Sequence, residues 1–228
     1  KSINKILKNK HKLIRNKISI VRYNENDNYT KKISSICNAR LIWGGDNSIN
    51  NIRKFPLDQR ALDIAFADRY SLCVISTSEI LKLNVNEIKR LTEKFYNDTY
   101  LVDQNACSSP HLVLWLGKHA DKARNKFWKH LQNHTKKKYN LTEAASIDKY
   151  TQLCGQILSL KNIKKFERYD NFIYTIFLKN LDKNIHNLRG KWGFFYEHNI
   201  NDLNKIKNYI NNKYQTLTYF GLNKNILK

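Results

Sequence analysis

Apolar residues along this 228-residue chain fall into stretches with a helical period of about 3.6 residues and short continuous runs, a pattern that predicts helices interleaved with strands. Ser2–Arg15 sets Ile3, Ile6, Leu7, Leu13 and Ile14 near helical spacing, and Lys17–Tyr23, rich in β-branched residues, reads as a short buried strand. Thr30–Cys37 predicts a helix, Ala39–Trp43 a strand, and Gly44-Gly45-Asp46 a turn into a helix over Asn47–Lys54. Ala61–Phe66 and Leu72–Ser76 are further strands, and Val85–Asn97 is a helix with Ile88, Leu91, Phe95 and Tyr96 inward. Strands alternating with helices imply a mostly parallel sheet, so residues 1–102 read as part of a dinucleotide-binding, Rossmann-type α/β domain.

After the loop Asp98–Pro110, a strand at His111–Leu116 leads into a long helical stretch from Lys118 to Lys137 that carries Phe127, Trp128 and Leu131. A helix at Thr142–Leu160, strands at Lys165–Tyr169, Phe172–Leu178 and Trp192–Tyr196, a helix at Asp202–Asn212 and a strand at Thr216–Phe220 follow. Residues 103–228 are therefore expected to form a second α/β domain. No internal repeat, low-complexity tract or Pro/Gly/Ser linker interrupts the chain.

Composition narrows the class. The 41% hydrophobic content is ample for a buried core, and no apolar stretch approaches the roughly 20 residues of a membrane span. The amino end lacks the block structure of an export signal. Four cysteines, Cys37, Cys73, Cys107 and Cys154, lie far apart with no C-x-x-C pair, which argues against a disulfide framework and a zinc knuckle and fits a reducing cytoplasm. The chain contains no methionine, so it is expected to be a piece of a longer protein. Its formal charge of +22, from 41 Lys+Arg against 19 Asp+Glu, invites an anionic partner. The lysines, however, are scattered through every predicted element, and the densest run is Lys136–Lys138, which is the pattern of a solvated surface rather than a nucleic-acid-binding stripe.

The strongest local chemistry lies in Asp103-Gln104-Asn105-Ala106-Cys107-Ser108-Ser109-Pro110-His111, a polar, small-residue loop between a helix and an apolar strand. A nucleophilic cysteine needs such a partly accessible junction, because the thiolate is the attacking species. The alternative, an ordinary buried cysteine acting as a small hydrophobe, stays open on pattern alone.

Phe95-Tyr96-Asn97-Asp98-Thr99-Tyr100-Leu101-Val102 and the loop that follows resemble the LuxC family of fatty acyl-CoA reductases, within the aldehyde dehydrogenase superfamily. Ile42-Trp43-Gly44-Gly45-Asp46-Asn47-Ser48-Ile49, Asp68-Arg69-Tyr70-Ser71 and Lys213-Tyr214-Gln215-Thr216-Leu217-Thr218-Tyr219-Phe220-Gly221 carry the same resemblance. It implies an aldehyde dehydrogenase-like fold in which 1–102 is the later part of an NADP-binding domain and 103–228 an incomplete catalytic domain, both ends of the family's chain lying outside. It implies NADPH-dependent reduction of a long-chain acyl-CoA or acyl-protein thioester to the fatty aldehyde through an acyl-Cys107 intermediate.

The resemblance also sets expectations for other residues. Gly44, Gly45, Asp46 and Ser48 fall where the superfamily's cofactor loop opens a helix, and Glu197 where a carboxylate holds the nicotinamide ribose. The superfamily's oxyanion asparagine is expected to lie before Lys1; Asn105, near Cys107 in sequence, is a candidate donor apart from the resemblance, with turn geometry as its other use, and His111 either polarises the thiol or is a structural histidine. Phe66 stands near the place of the glutamate that activates water in hydrolytic members, with Asp63 and Asp68 close by, which favours reduction over oxidation. Implied partners are the acyl-CoA substrate, an acyl-protein synthetase and further copies of the chain. The alternatives are an NAD(P)-dependent aldehyde dehydrogenase forming the acid and an inactive basic nucleic-acid-binding protein.

Overall fold

The computed structural model describes residues 12–24 and 28–223, which separate into two compact units, Lys1–Ala67 and Asp68–Lys228. Strand Tyr70–Ser76 pairs within the second unit's sheet rather than with Leu62–Ala67.

In the first unit, α1 (Lys12–Arg15) and α2 (Tyr29–Ile36) precede β1 (Ala39–Gly44), α3 (Asp46–Arg53) and β2 (Leu62–Ala67). β1 and β2 pair in parallel, with Trp43 opposite Phe66, which is the expected strand–helix–strand unit. Most of the helix expected over Ser2–Arg15 lies outside the described residues. The strand expected over Lys17–Tyr23 does not form: Ile18, Ile20 and Val21 are exposed, and no described strand pairs with them. β-branched composition is not enough without a neighbour to complete the ladder.

The second unit comprises β3 (Tyr70–Ser76), α4 (Thr77–Lys82), α5 (Val85–Thr99), β4 (Leu112–Leu116), α6 (Ala120–Lys138), α7 (Glu143–Ser159), β5 (Ile163–Tyr169), β6 (Ile173–Leu178), β7 (Phe194–Ile200) and β8 (Tyr214–Phe220). The strands form one six-stranded sheet in the order β5-β6-β7-β4-β3-β8, parallel except between β5 and β6. Every residue of β3 and β6 is buried, as expected of strands covered on both faces, whereas the edge strands β5 and β8 alternate in burial.

One face packs Ile75, Val113, Trp115 and Phe195 against Phe95 of α5 and Phe127 and Trp128 of α6. The other sets Leu72, Val74, Leu114 and Tyr196 with Leu153 of α7. Each such side chain contributes about 1.5–3 kcal/mol by leaving water. α5 starts in a capping box: Asn84 Oδ1 accepts from the Asn86 and Glu87 amides while Glu87 returns a carboxylate to the Asn84 amide. The helix expected over Asp202–Asn212 is shorter, a 3-10 segment at Leu203–Asn208. Asp202 and Asn211 bond to nearby backbone amides there, and that competition limits a longer helix. No helix among the described residues is long and apolar enough to cross a membrane.

Candidate active site

The loop bearing Cys107 is held from within by backbone geometry that few residue types adopt. After α5 and a 3-10 turn at Tyr100–Val102, Asp103 and Gln104 both take left-handed backbone angles, φ 55° and 61°. Such angles cost non-glycine residues about 1 kcal/mol or more each and persist only where the surroundings hold them. The hold here is the Gln104 amide, which is fully buried. Its Nε2 donates to Pro110 O and Phe194 O, each at 3.0 Å, and its Oε1 accepts from the Gly193 and Phe194 amides, each at 3.1 Å. The bond to Pro110 closes residues 104–110 into a ring with Cys107 in its middle.

Three more bonds fix that ring. Ser109 N donates to Ala106 O at 2.9 Å, placing Cys107 at a tight turn. Ser109 Oγ donates to Asp98 O at 2.7 Å, and Ser71 Oγ on β3 donates to Cys107 O at 2.6 Å. The Trp192 amide donates to Asp103 O at 3.2 Å, so the segment before β7 braces the loop's first residue. The carbonyls of Asp103, Ala106, Cys107 and Pro110 are thus each bonded within the protein while the Cys107 residue is exposed.

Among the four cysteines the exposed one is Cys107; Cys73 is buried, and burial pushes its thiol up to about 12, which removes it as a thiolate source at neutral pH. Asn105 is exposed, and its Nδ2 donates to Asp103 O at 3.2 Å, a turn-stabilising bond that uses one of its two hydrogens. His111 is buried, its ring 5.4 Å from that of Tyr70. Burial first, and the nearby Arg189 charge second, lower it to about 4, so it is neutral at physiological pH. Its backbone bridges β3 and β7 through Ser71 O and the Tyr196 amide, and no hydrogen bond among the described residues joins it to Cys107.

Glu197, expected from the resemblance to hold the nicotinamide ribose, is an interior side chain. It is fully buried in β7, where Oε1 accepts from Trp115 Nε1 at 2.7 Å, Trp128 Nε1 at 2.8 Å and Arg124 Nε at 2.9 Å, and Oε2 from Arg124 Nη2 at 2.6 Å. Four N–H donors leave the carboxylate saturated, and it binds β4, β7 and α6 together.

In the first unit, Gly45 is the N-cap of α3 in extended conformation, with no side-chain capping bond and open space where a Cβ would stand. The helix therefore offers backbone N–H groups at an uncapped end, the physics expected of a cofactor loop. Asp46 occupies the first helical position, and Ser48 Cβ would lie 3.2 Å from a Cβ on Gly44. Trp43, 73% exposed, stacks on Phe66, 41% exposed, with ring centroids 4.1 Å apart. Asp63 is bound by Arg40 and Arg53 at 3.3 and 2.9 Å, and the Arg40 hydrogen bond, joined by Arg53, holds its carboxyl below the usual range against the opposing effect of burial. In the second unit, Asp68 pairs with Arg189 at 3.0 Å.

A mainly apolar groove of about 390 Å³ runs along α5 beside β8, lined by Cys73, Leu83, Leu91, Phe95 and Phe220 among others; Cys107 is not part of its wall.

The family model described as acyl-CoA reductase (LuxC) matches residues 3–215. No curated protein matches the chain. Among solved structures, the chain is similar to an aldehyde dehydrogenase from Staphylococcus aureus in a substrate-bound state, with 14% identity and a TM-score of 0.58 over 87% of this chain and 44% of that one. It is also similar to an NAD-dependent aldehyde dehydrogenase from Sinorhizobium meliloti (8% identity, TM-score 0.58, 86% of this chain and 42% of that one). An aldehyde dehydrogenase from Bartonella henselae matches at 11% identity and a TM-score of 0.56, over 88% of this chain and 46% of that one. The fold is thus aldehyde dehydrogenase-like, and the chain spans less than half the length of these structures.

Proposed function

The chain belongs to the LuxC acyl-CoA reductase family, and from that premise we propose that it carries the thiol-bearing part of an enzyme that uses NADPH to reduce a long-chain fatty acyl thioester to the fatty aldehyde. The observation that carries this reading is Cys107: an exposed thiol at a tight turn whose own carbonyl and that of Pro110 are held by Ser71 and Gln104.

In this reaction Cys107 Sγ, as thiolate, attacks the carbonyl carbon of acyl-CoA or of an acyl-protein thioester. The carbonyl oxygen takes the charge; collapse breaks the carbon–sulfur bond to CoA, whose thiolate takes a proton from solvent, and leaves the acyl group on Cys107. The cofactor's contribution is a hydride for the acyl carbon. The Cys107 carbon–sulfur bond then breaks, regenerating the thiolate and releasing the aldehyde. The charged oxygen needs donors at both stages. The Cys107 and Ser108 amides donate to no protein acceptor among the described hydrogen bonds, and the second Asn105 Nδ2 hydrogen joins them in our reading. His111, neutral and buried just before β4, we assign to holding the start of that strand rather than to taking the thiol proton.

We assign the cofactor to the first unit. The α3 amino end at Gly44 and Gly45 suits close backbone approach, and Ser48 adds a hydroxyl. Asp46, itself an anion at that helix end, suits ribose hydroxyls rather than a phosphate. Aldehyde rather than acid is the expected product, because Phe66 is apolar and both neighbouring carboxylates, Asp63 and Asp68, are occupied by arginines. An acyl-protein synthetase as acyl donor, assembly from several copies and a cytoplasmic location complete the proposal. The test is to supply the intact enzyme with acyl-CoA and NADPH and quantify products by gas chromatography. One aldehyde per NADPH oxidised is expected; free acid as the main product would overturn the proposal.

A further inference from the structure

The strap Trp192–Phe194, between the 3-10 turn at Ile185–Asn187 and β7, touches the thiol loop on one side and a buried lysine on the other. Trp192, φ 55°, and Gly193, φ 85°, are left-handed like Asp103 and Gln104, which they face. The strap has no slack: a Cβ on Gly193 would lie 2.2 Å from Phe172 O and 2.4 Å from the Tyr100 hydroxyl, and one on Gly190 would lie 1.6 Å from Phe194 O. The amides of all three strap residues donate to the thiol loop, Trp192 to Asp103 O and the other two to Gln104 Oε1.

Behind the strap, Lys149 of α7 is fully buried. Its Nζ donates to Trp192 O at 2.9 Å and to Asn171 O, and lies 4.6 Å from the centre of the Tyr174 ring. The Arg168 guanidinium stands over the same ring at 4.9 Å, and no carboxylate among the described groups pairs with the ammonium. Burying an uncompensated lysine is unfavourable, and a methionine would fill the same volume without that cost. What the lysine adds is directional: it fixes the carbonyl of the one strap residue whose amide braces Asp103.

We infer that Gln104 and Lys149 are positioning residues for Cys107, acting in series through the strap Trp192–Phe194. The inference rests on the reading that Cys107 is acylated. Gln104 closes the ring that carries the thiol, the strap fixes the Gln104 amide, and Lys149 fixes the strap. Neither side chain touches the reacting atoms; each removes freedom from the turn that aims the sulfur.

The test compares two reactions of the same thiol in the intact enzyme: single-turnover acylation by acyl-CoA, which needs the aimed geometry, and alkylation by iodoacetamide, which needs only an accessible thiolate. Gln104→Glu preserves shape but turns an acceptor toward Pro110 O and Phe194 O; Lys149→Met preserves bulk. Each is expected to slow acylation by about 100-fold, the scale of an ångström-level misplacement, with KM and alkylation close to those of the unaltered enzyme. Because the two act in series, the double variant should be no slower than the slower single one. Gln104→Asn, which tolerates the left-handed backbone but is one methylene short, should fall between and serves if Gln104→Glu does not fold. Unaltered acylation in Gln104→Asn or in folded Lys149→Met, or losses that multiply in the double variant, would overturn the inference. Absence of Cys107 acylation in the unaltered enzyme would instead remove the reading on which it rests.

Discussion

Ser71 Oγ donates to Cys107 O at 2.6 Å, joining the second residue of a fully buried strand to the exposed thiol turn. The hydroxyl is the polar exception at the start of an apolar run, and its burial is satisfied by this bond. Ser71→Ala leaves the carbonyl without its partner, which costs about 1–2 kcal/mol of stability. The freed turn should also slow single-turnover acylation by about tenfold with KM unchanged. Urea unfolding and rapid-quench kinetics on the same preparation check both parts.

Glu197→Gln tests the structural role of that carboxylate. The substitution removes the charge opposite Arg124, which is also fully buried, and forces an NH₂ group toward N–H donors. Breaking a buried pair from one side costs about 3–5 kcal/mol, and in a chain of this size that lowers the melting temperature by about 10 °C. KM for NADPH should not change in the protein that remains folded. A higher KM at an unaltered melting temperature would return Glu197 to the cofactor.

Lys149 makes stability depend on pH with a definite sign. Burial, with a smaller contribution from Arg168, lowers its ammonium to about 7, below its ordinary value of 10.5 in the unfolded chain. Between those values the unfolded state binds the proton that the folded state has released, so stability rises with pH across that window. Urea midpoints measured from pH 7 to 10 should rise in the unaltered protein and rise less in Lys149→Met. Parallel curves would contradict the assignment.

Much of this architecture is legible in the sequence, and the gaps have physical causes. Val85–Asn97 was readable because Ile88, Phe95 and Tyr96 recur at helical spacing and all three are buried. The Cys107 loop was readable because small polar residues between a helix and an apolar strand mark an exposed junction. Gln104 was not: a glutamine in a polar loop looks solvated, and only the fold shows Pro110 and Phe194 converging on its amide. Lys149 and Glu197 were hidden likewise, since a charged residue's burial depends on partners 20 or more residues away in sequence. Lys17–Tyr23 failed in the opposite sense, as propensity without a pairing strand.

Asp63→Asn and Asp68→Asn separate reduction from hydrolysis. Both carboxylates are ion-paired to arginines, and under the proposed reduction neither activates water, so the fraction of acyl groups released as free acid should be the same in both variants as in the unaltered enzyme. A fall in acid release in either variant, read by product analysis of a single turnover, would identify that residue as a base.

The most direct measurement is covalent capture. The intact enzyme is mixed with radiolabelled long-chain acyl-CoA in the absence of NADPH, denatured and counted, beside Cys107→Ser. Retained label that hydroxylamine removes, present in the unaltered enzyme and absent from Cys107→Ser, is the predicted result; no retained label, or label that persists in Cys107→Ser, contradicts the account.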